Sequence, residues 1–177
     1  RGADGEGRGD IVDGVWAGGQ PDGYTDQLAD CEDGDGGVGD ERCRFVQIEG
    51  GYTVGCALDG RGVVECWGHD SNLAHVAPEG RFVTLSTNGH FSCALDVSGA
   101  ATCWGSNIYG QLDAPDLELQ LLAIGYHHGL ATDLGGELQC WGNDDYGQCS
   151  QAPSGSLSFI ASGEGHSCGL YQDGNIR

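Results

Sequence analysis

Three clusters of side chains in this chain have the types and spacing to do chemistry. Cys66-Trp67-Gly68, Cys103-Trp104-Gly105 and Cys140-Trp141-Gly142 lie 37 residues apart each time. Their thiols could serve as redox or metal centres. Thiolate metal sites need close ligand spacing such as C-x-x-C, however, and none occurs. Nine cysteines in a Gly-rich acidic chain therefore read as disulfides formed in an oxidising compartment. Near the N-terminus, Asp22, Asp26, Asp30, Glu32, Asp33 and Asp35 place six carboxylates within 14 residues, interleaved with glycine. Calcium takes 6–8 oxygen ligands from such segments, backbone carbonyls included. The spacing is not that of an EF-hand, and a disordered acidic linker has the same composition. Flanking cysteines that would anchor the segment favour calcium. His127 and His128, with Asp133 near in sequence, could ligate a metal, but one of them matches His166 of "GHSC" and reads as a repeat-position residue.

Catalysis finds little support. No G-x-S-x-G nucleophile elbow occurs, and a pattern that recurs unit after unit lacks the differentiated residues a catalytic site needs. Arg8-Gly9-Asp10 spells an integrin ligand, yet such a tripeptide arises easily where Gly and Asp abound. No N-x-S/T acceptor is present.

Composition sets the wider bounds. The formal net charge is −20, from 27 acids against 7 arginines, with no lysine. That excludes a general nucleic-acid binder, which needs basic patches. It suits a solvated extracellular surface or a calcium protein. No apolar run approaches the ~20 residues of a membrane helix, so no membrane insertion is expected. Twelve of the 27 acids and twelve glycines fall in residues 1–44, which places a boundary near residue 44.

The elements that position these residues follow from the repeat. With Cys56, Cys93, Leu130 and Cys168 as origins, the spacings are 37, 37 and 38. Eleven residues earlier stand Phe45, Phe82, Leu119 and Leu157, and eight earlier Ile48, Leu85, Leu122 and Ile160. Gly51, Asn88, Gly125 and Gly163 precede each origin by five, residue types that tolerate left-handed backbone. The units are 45–81, 82–118, 119–156 and a partial 157–177. Each reads as short strands: "FVQI", "VGCAL" and "VVECW" are rich in β-branched and aromatic residues and divided by Gly or Asp-Gly. "VGCAL" and "VVECW" predict a hairpin in which Cys56 faces Cys66, and Cys93 faces Cys103 in the next unit. Directly opposed residues lie within disulfide range. Closing so short a loop contributes roughly 3 kcal/mol. In the third unit Leu130 replaces the first cysteine and Cys149 is extra, which pairs Cys140 with Cys149. Cys31 and Cys43 pair by elimination. Cys168 stays unpaired; its partner would fall at about position 178, so the expectation is that the last unit is truncated or completed elsewhere.

"CALDVSGAATCWGSNIYGQL", "CWGNDDYGQ" and "HSCGL…DGNI" resemble the regulator-of-chromosome-condensation repeat in its bacterial secreted form, over about Phe45 to Arg177. That resemblance implies a β-propeller, typically of seven blades, in a family whose members bind partner proteins through loops at one end and are mostly not enzymes. The first unit departs from it, with "HDSNLAHV" where the second has "SNIYGQL". "PDGYTDQLADCEDGDGGVGDERC" resembles a metal-binding repeat of bacterial secreted proteins and, more distantly, thrombospondin type 3 calcium repeats.

The reading is an all-β chain of about three and a half propeller-type units, an incomplete ring, behind a disulfide-anchored calcium segment at 1–44. Its expected role is a secreted, non-enzymatic structural or interaction protein, extracellular or at the cell surface. Trp16 and the half unit at the C-terminus suggest head-to-tail self-assembly into a ring or filament. The alternative is a fragment of a larger propeller that binds a partner protein through its loops. A glycan-acting enzyme is the weaker third reading.

Overall fold

The computed structural model describes residues 45–69, 74–88 and 90–176. Over them the chain forms eleven strands: β1 (Phe45–Gly50), β2 (Val54–Asp59), β3 (Val64–Gly68), β4 (Phe82–Thr87), β5 (Phe91–Asp96), β6 (Ala101–Gly105), β7 (Leu119–Ile124), β8 (His128–Asp133), β9 (Leu138–Gly142), β10 (Leu157–Ser162) and β11 (Ser167–Tyr171). They pair antiparallel in chain order as β1-β2-β3, β4-β5-β6, β7-β8-β9 and β10-β11. A bridge from Leu170 to Ile176 stands where the other sheets have a third strand. The fold is all-β and built of propeller-type blades, an arc rather than a closed ring among the described residues.

The second and third strands of each unit form a tight hairpin. Its turn is capped by the aspartate that ends the second strand: Asp59 accepts from the Arg61 and Val63 amides, Asp96 from those of Ser98 and Ala100, and Asp133 from those of Gly135 and Glu137. In this register Cys56 opposes Cys66 and Cys93 opposes Cys103. Both pairs are disulfide-bonded, with Cα atoms 4.0 and 4.1 Å apart. In the third unit Cys140 opposes Leu130 and bonds instead to Cys149.

One feature of the first strands corrects a simple strand reading. Phe82 and Leu85 are three residues apart, which a regular pleat would send to opposite faces. Both are buried. The register skips between Phe82 and Thr84, and at the equivalent place in the other three first strands. A bulge there turns the chain so that both apolar side chains reach one face. A second correction concerns Gly125 and Gly163, which do not take a left-handed conformation. They are small because a Cβ on them would run into the His128 and His166 rings. Left-handed backbone falls instead on the glycine of each Cys-Trp-Gly triplet, with φ of 121°, 106° and 93° at Gly68, Gly105 and Gly142. A Cβ on Gly105 would also meet the backbone of His90 and Phe91, so only glycine lets the chain leave the third strand here.

Blades stack face to face, and each junction is one apolar cluster. Val54, Cys56, Leu58 and Val64 of the first blade pack on Phe82, Leu85, Ala94 and Trp104 of the second. Phe91, Cys93 and Leu95 then pack on Leu119, Ala131 and Trp141 of the third, and Leu130 on Leu157 and Ile160 of the fourth. Each buried tryptophan is also tied to the preceding blade's exit loop. Trp104 donates its indole N–H to the Ala74 carbonyl, and Trp141 to that of Gln111, both at 2.8 Å. Two faces of this type stay uncovered among the described residues. On the first blade Phe45 is 43 % and Ile48 72 % exposed, against 5 % and 1 % for their equivalents Phe82 and Leu85. On the fourth, Cys168 and Leu170 are half-buried and Ile176 is exposed.

Candidate functional site: the histidine–tyrosine loop end

The hairpin topology sends two kinds of segment to one end of the arc: the loop between first and second strands, and the exit from the third strand. Backbone hydrogen bonds tie them together within each blade, from His69 to the Thr53 carbonyl, Ser106 to His90 and Asn143 to His127. Tyr126 N–H then reaches the Gly163 carbonyl of the next blade. From the second blade to the fourth the loops therefore adjoin one another.

Four rings interlock among these loops. The His90 Nε2 and Tyr126 hydroxyl are 2.7 Å apart across the blade junction. His127 sits edge-on to Tyr126 at 4.5 Å between centroids and parallel to His90 at 6.2 Å. Tyr109, from the exit loop of the preceding blade, lies 4.8 Å from His127. Tyr146 holds the same repeat position one blade on, against Gly165. The exit turns that present these tyrosines are fixed by their own glutamines. Tyr109 N–H donates to the Gln111 side chain at 2.7 Å and Tyr146 N–H to that of Gln148 at 2.9 Å.

Two histidines here are pushed toward neutrality. Burial, then the neighbouring His90, lower the His127 pKa, with Glu164 acting against them. His128 lies fully buried one residue on. Its Nε2 meets the Ser167 hydroxyl at 3.1 Å, and that hydroxyl donates its only proton to the Gln148 carbonyl at 2.8 Å. The serine must therefore accept from His128, which fixes the Nε2–H tautomer and leaves Nδ1 buried without a partner. Burial, then His166 and His127, push this pKa down to about 4, while Asp144 acts the other way.

The sequence-stated candidates fall into place unevenly. Asp22, Asp26, Asp30, Glu32, Asp33, Asp35, Cys31, Cys43, Trp16 and the Arg8-Gly9-Asp10 tripeptide lie outside the described residues. The three Cys-Trp-Gly triplets are scaffold: Trp104 and Trp141 lie in blade junctions, and Trp67 rests on Gly55 of its own blade. Cys168 carries a free thiol at the position that Cys56 and Cys93 hold in their blades. His128 is the repeat-position residue equivalent to His166, and His127 faces the ring cluster. Among the described residues no three His, Cys, Asp or Glu side chains are grouped to hold a metal. The ring cluster itself goes unseen in the sequence, because it assembles across the junction of the second and third blades. Its one local sign is the tyrosine in "NIYGQ" and "NDDYGQ", which reads there as part of a turn motif.

Comparison with known proteins agrees with this architecture. The family described as Regulator of chromosome condensation (RCC1) repeat matches residues 121–148. No curated protein sequence matches the chain. Among solved structures, the ectodomain of the receptor kinase CR4 from Physcomitrella patens is similar at a TM-score of 0.65 and 26 % identity, over 75 % of this chain and 40 % of that one. The CRINKLY WD40 ectodomain of the Arabidopsis thaliana receptor kinase ACR4 is similar at 0.65 and 22 %, over 76 % and 55 %. Prp20p from Saccharomyces cerevisiae, described with its binding to Gsp1p and histones, is similar at 0.64 and 18 %, over 75 % and 44 %. The chain thus spans between two fifths and rather more than half of these structures. Residues 121–148 thus match the RCC1 repeat, and the units stack as propeller blades.

Proposed function

We propose that this chain is an extracellular, non-enzymatic interaction protein that meets a partner protein with its loop end. The observation that carries the reading is that the loops there adjoin from the second blade to the fourth: Tyr109 and Tyr146 recur in register, and each leans on the loop of the next blade. Elsewhere the repeat's chemistry is spent on structure. The cysteines staple hairpins, the tryptophans seal junctions and the recurring aspartates cap turns, which supports a role without catalysis. Three disulfides among the described residues and likeness to receptor ectodomains support an extracellular setting. Selection of binders from an unbiased display library, with hydrogen-exchange footprints of each, tests the reading. Footprints should gather on residues 106–111, 125–128 and 143–148; footprints confined to the hairpin turns at the opposite end would refute it.

The uncovered blade faces favour a second reading, head-to-tail self-assembly. The Phe45–Ile48 face and the Cys168–Leu170–Ile176 face are the two halves of the junction repeated inside the chain. A second copy supplies each with its complement, as a further blade of a larger propeller also would. We further propose that residues 22–35 bind calcium, on the strength of their six carboxylates.

A further inference from the structure

We propose that the loop end is a docking surface for a cationic protein segment, one that presents arginine or lysine side chains. The inference rests on the interaction reading above and names the chemistry of the partner. Tyr146 is 80 % and Tyr109 45 % exposed, yet neither is loosely attached. Each is held through its backbone by a glutamine side chain, and its ring rests on the loop of the following blade. Rings fixed in advance contribute contact area with little ordering cost. Carboxylates flank Tyr146: Asp145 precedes it in the chain and accepts from the Asn143 side chain at 2.8 Å, and Glu164 is adjacent to Gly165, on which Tyr146 rests. Glu164 also lies close enough to His127 to act on its titration.

Among the described residues the arginines are Arg61 and Arg81, and they sit together at the opposite end, where Arg81 donates to the Arg61 carbonyl at 2.9 Å. Among the described residues the loop end thus combines aromatic faces with carboxylates and no arginine or lysine, the setting that attracts a guanidinium or ammonium group. A neutral glycan would also stack on tyrosine rings. The flanking carboxylates and the net charge of −20 would add nothing for it, whereas they steer a cation inward from a distance.

A fluorescein-labelled oligo-arginine peptide, titrated into the full chain at physiological salt and followed by anisotropy, tests this. Tyr109→Ser with Tyr146→Ser should weaken binding about tenfold, and Tyr109→Phe with Tyr146→Phe should keep it. Glu118→Gln with Glu137→Gln, which removes as many acids from the opposite end as Asp145 and Glu164 supply here, should change it less than twofold. Thermal melts of each variant verify that it is folded at the assay temperature. Equal losses from both ends would mean that bulk charge alone attracts the peptide, and would overturn the proposal. So would a serine variant that binds as the parent does, or tyrosine-dependent binding of a neutral oligosaccharide in place of the peptide. If oligo-arginine fails while library-selected binders still footprint on these loops, the cationic chemistry falls and the interaction reading stands. If neither touches them, both fall.

Discussion

His128 shows how one side chain turns a blade junction into a titrating element. Its proton sits on Nε2, donated to Ser167, and Nδ1 is buried with no acceptor for the N–H that a second proton would create. His166, His127 and Asp144 are the charged or chargeable groups around it. Above pH 6.5 the folded and unfolded chains both keep this ring neutral. Between 6.5 and about 4 the unfolded chain takes up a proton that the folded chain excludes, so stability falls as pH falls. The full loss, complete below about 4, is at most ~3 kcal/mol. The second blade has Phe91 at this position, fully buried. His128→Phe should therefore fold and should flatten the fall in thermal midpoint between pH 6.5 and 4; a slope equal to the parent's would refute the assignment.

At the scale of elements, the third blade is the informative exception. Leu130 lies opposite Cys140 in the same register that joins the cysteine pairs of the first two blades. Leu130→Cys with Cys149→Ser should restore the ordinary cross-strand staple. Peptide mapping would then find position 130 linked to Cys140, with stability below the parent's by about 1–3 kcal/mol, because the two loops exchanged are of similar length while shortening buried Leu130 loses contacts with Leu157 and Ile160. A free thiol at either position would count against the register. This element was legible in the sequence, since cysteine spacing and the missing first cysteine reported directly on strand pairing. The bulge in each first strand was not inferred, although its sign was present: apolar positions three apart in a segment otherwise strand-like. The ring cluster lay further from view. Tyr109, Tyr126 and His90 are brought together by the stacking of the second blade on the third, and no local pattern encodes a contact between repeats.

For the molecule as a whole, two tests concern its ends. If the uncovered faces meet head to tail, light scattering should show a mass that rises with concentration, and Ile48→Glu should return the chain to monomer. A monomer at every concentration would rule that reading out. If residues 22–35 hold calcium, calorimetry should detect binding at or below the millimolar range typical of extracellular modules. Chelation should then alter residues 21–43 and leave the blades folded; absence of heat at millimolar calcium would dismiss the proposal. The tryptophan ties between blades govern how such a molecule comes apart. Each indole of the second and third blades is anchored in the blade before its own, so its fluorescence reports on a single seam: Trp104 on the first, Trp141 on the second. Stacked repeats couple mainly to their nearest neighbours. The two signals can therefore separate during unfolding, and their order would reveal from which side the array unzips.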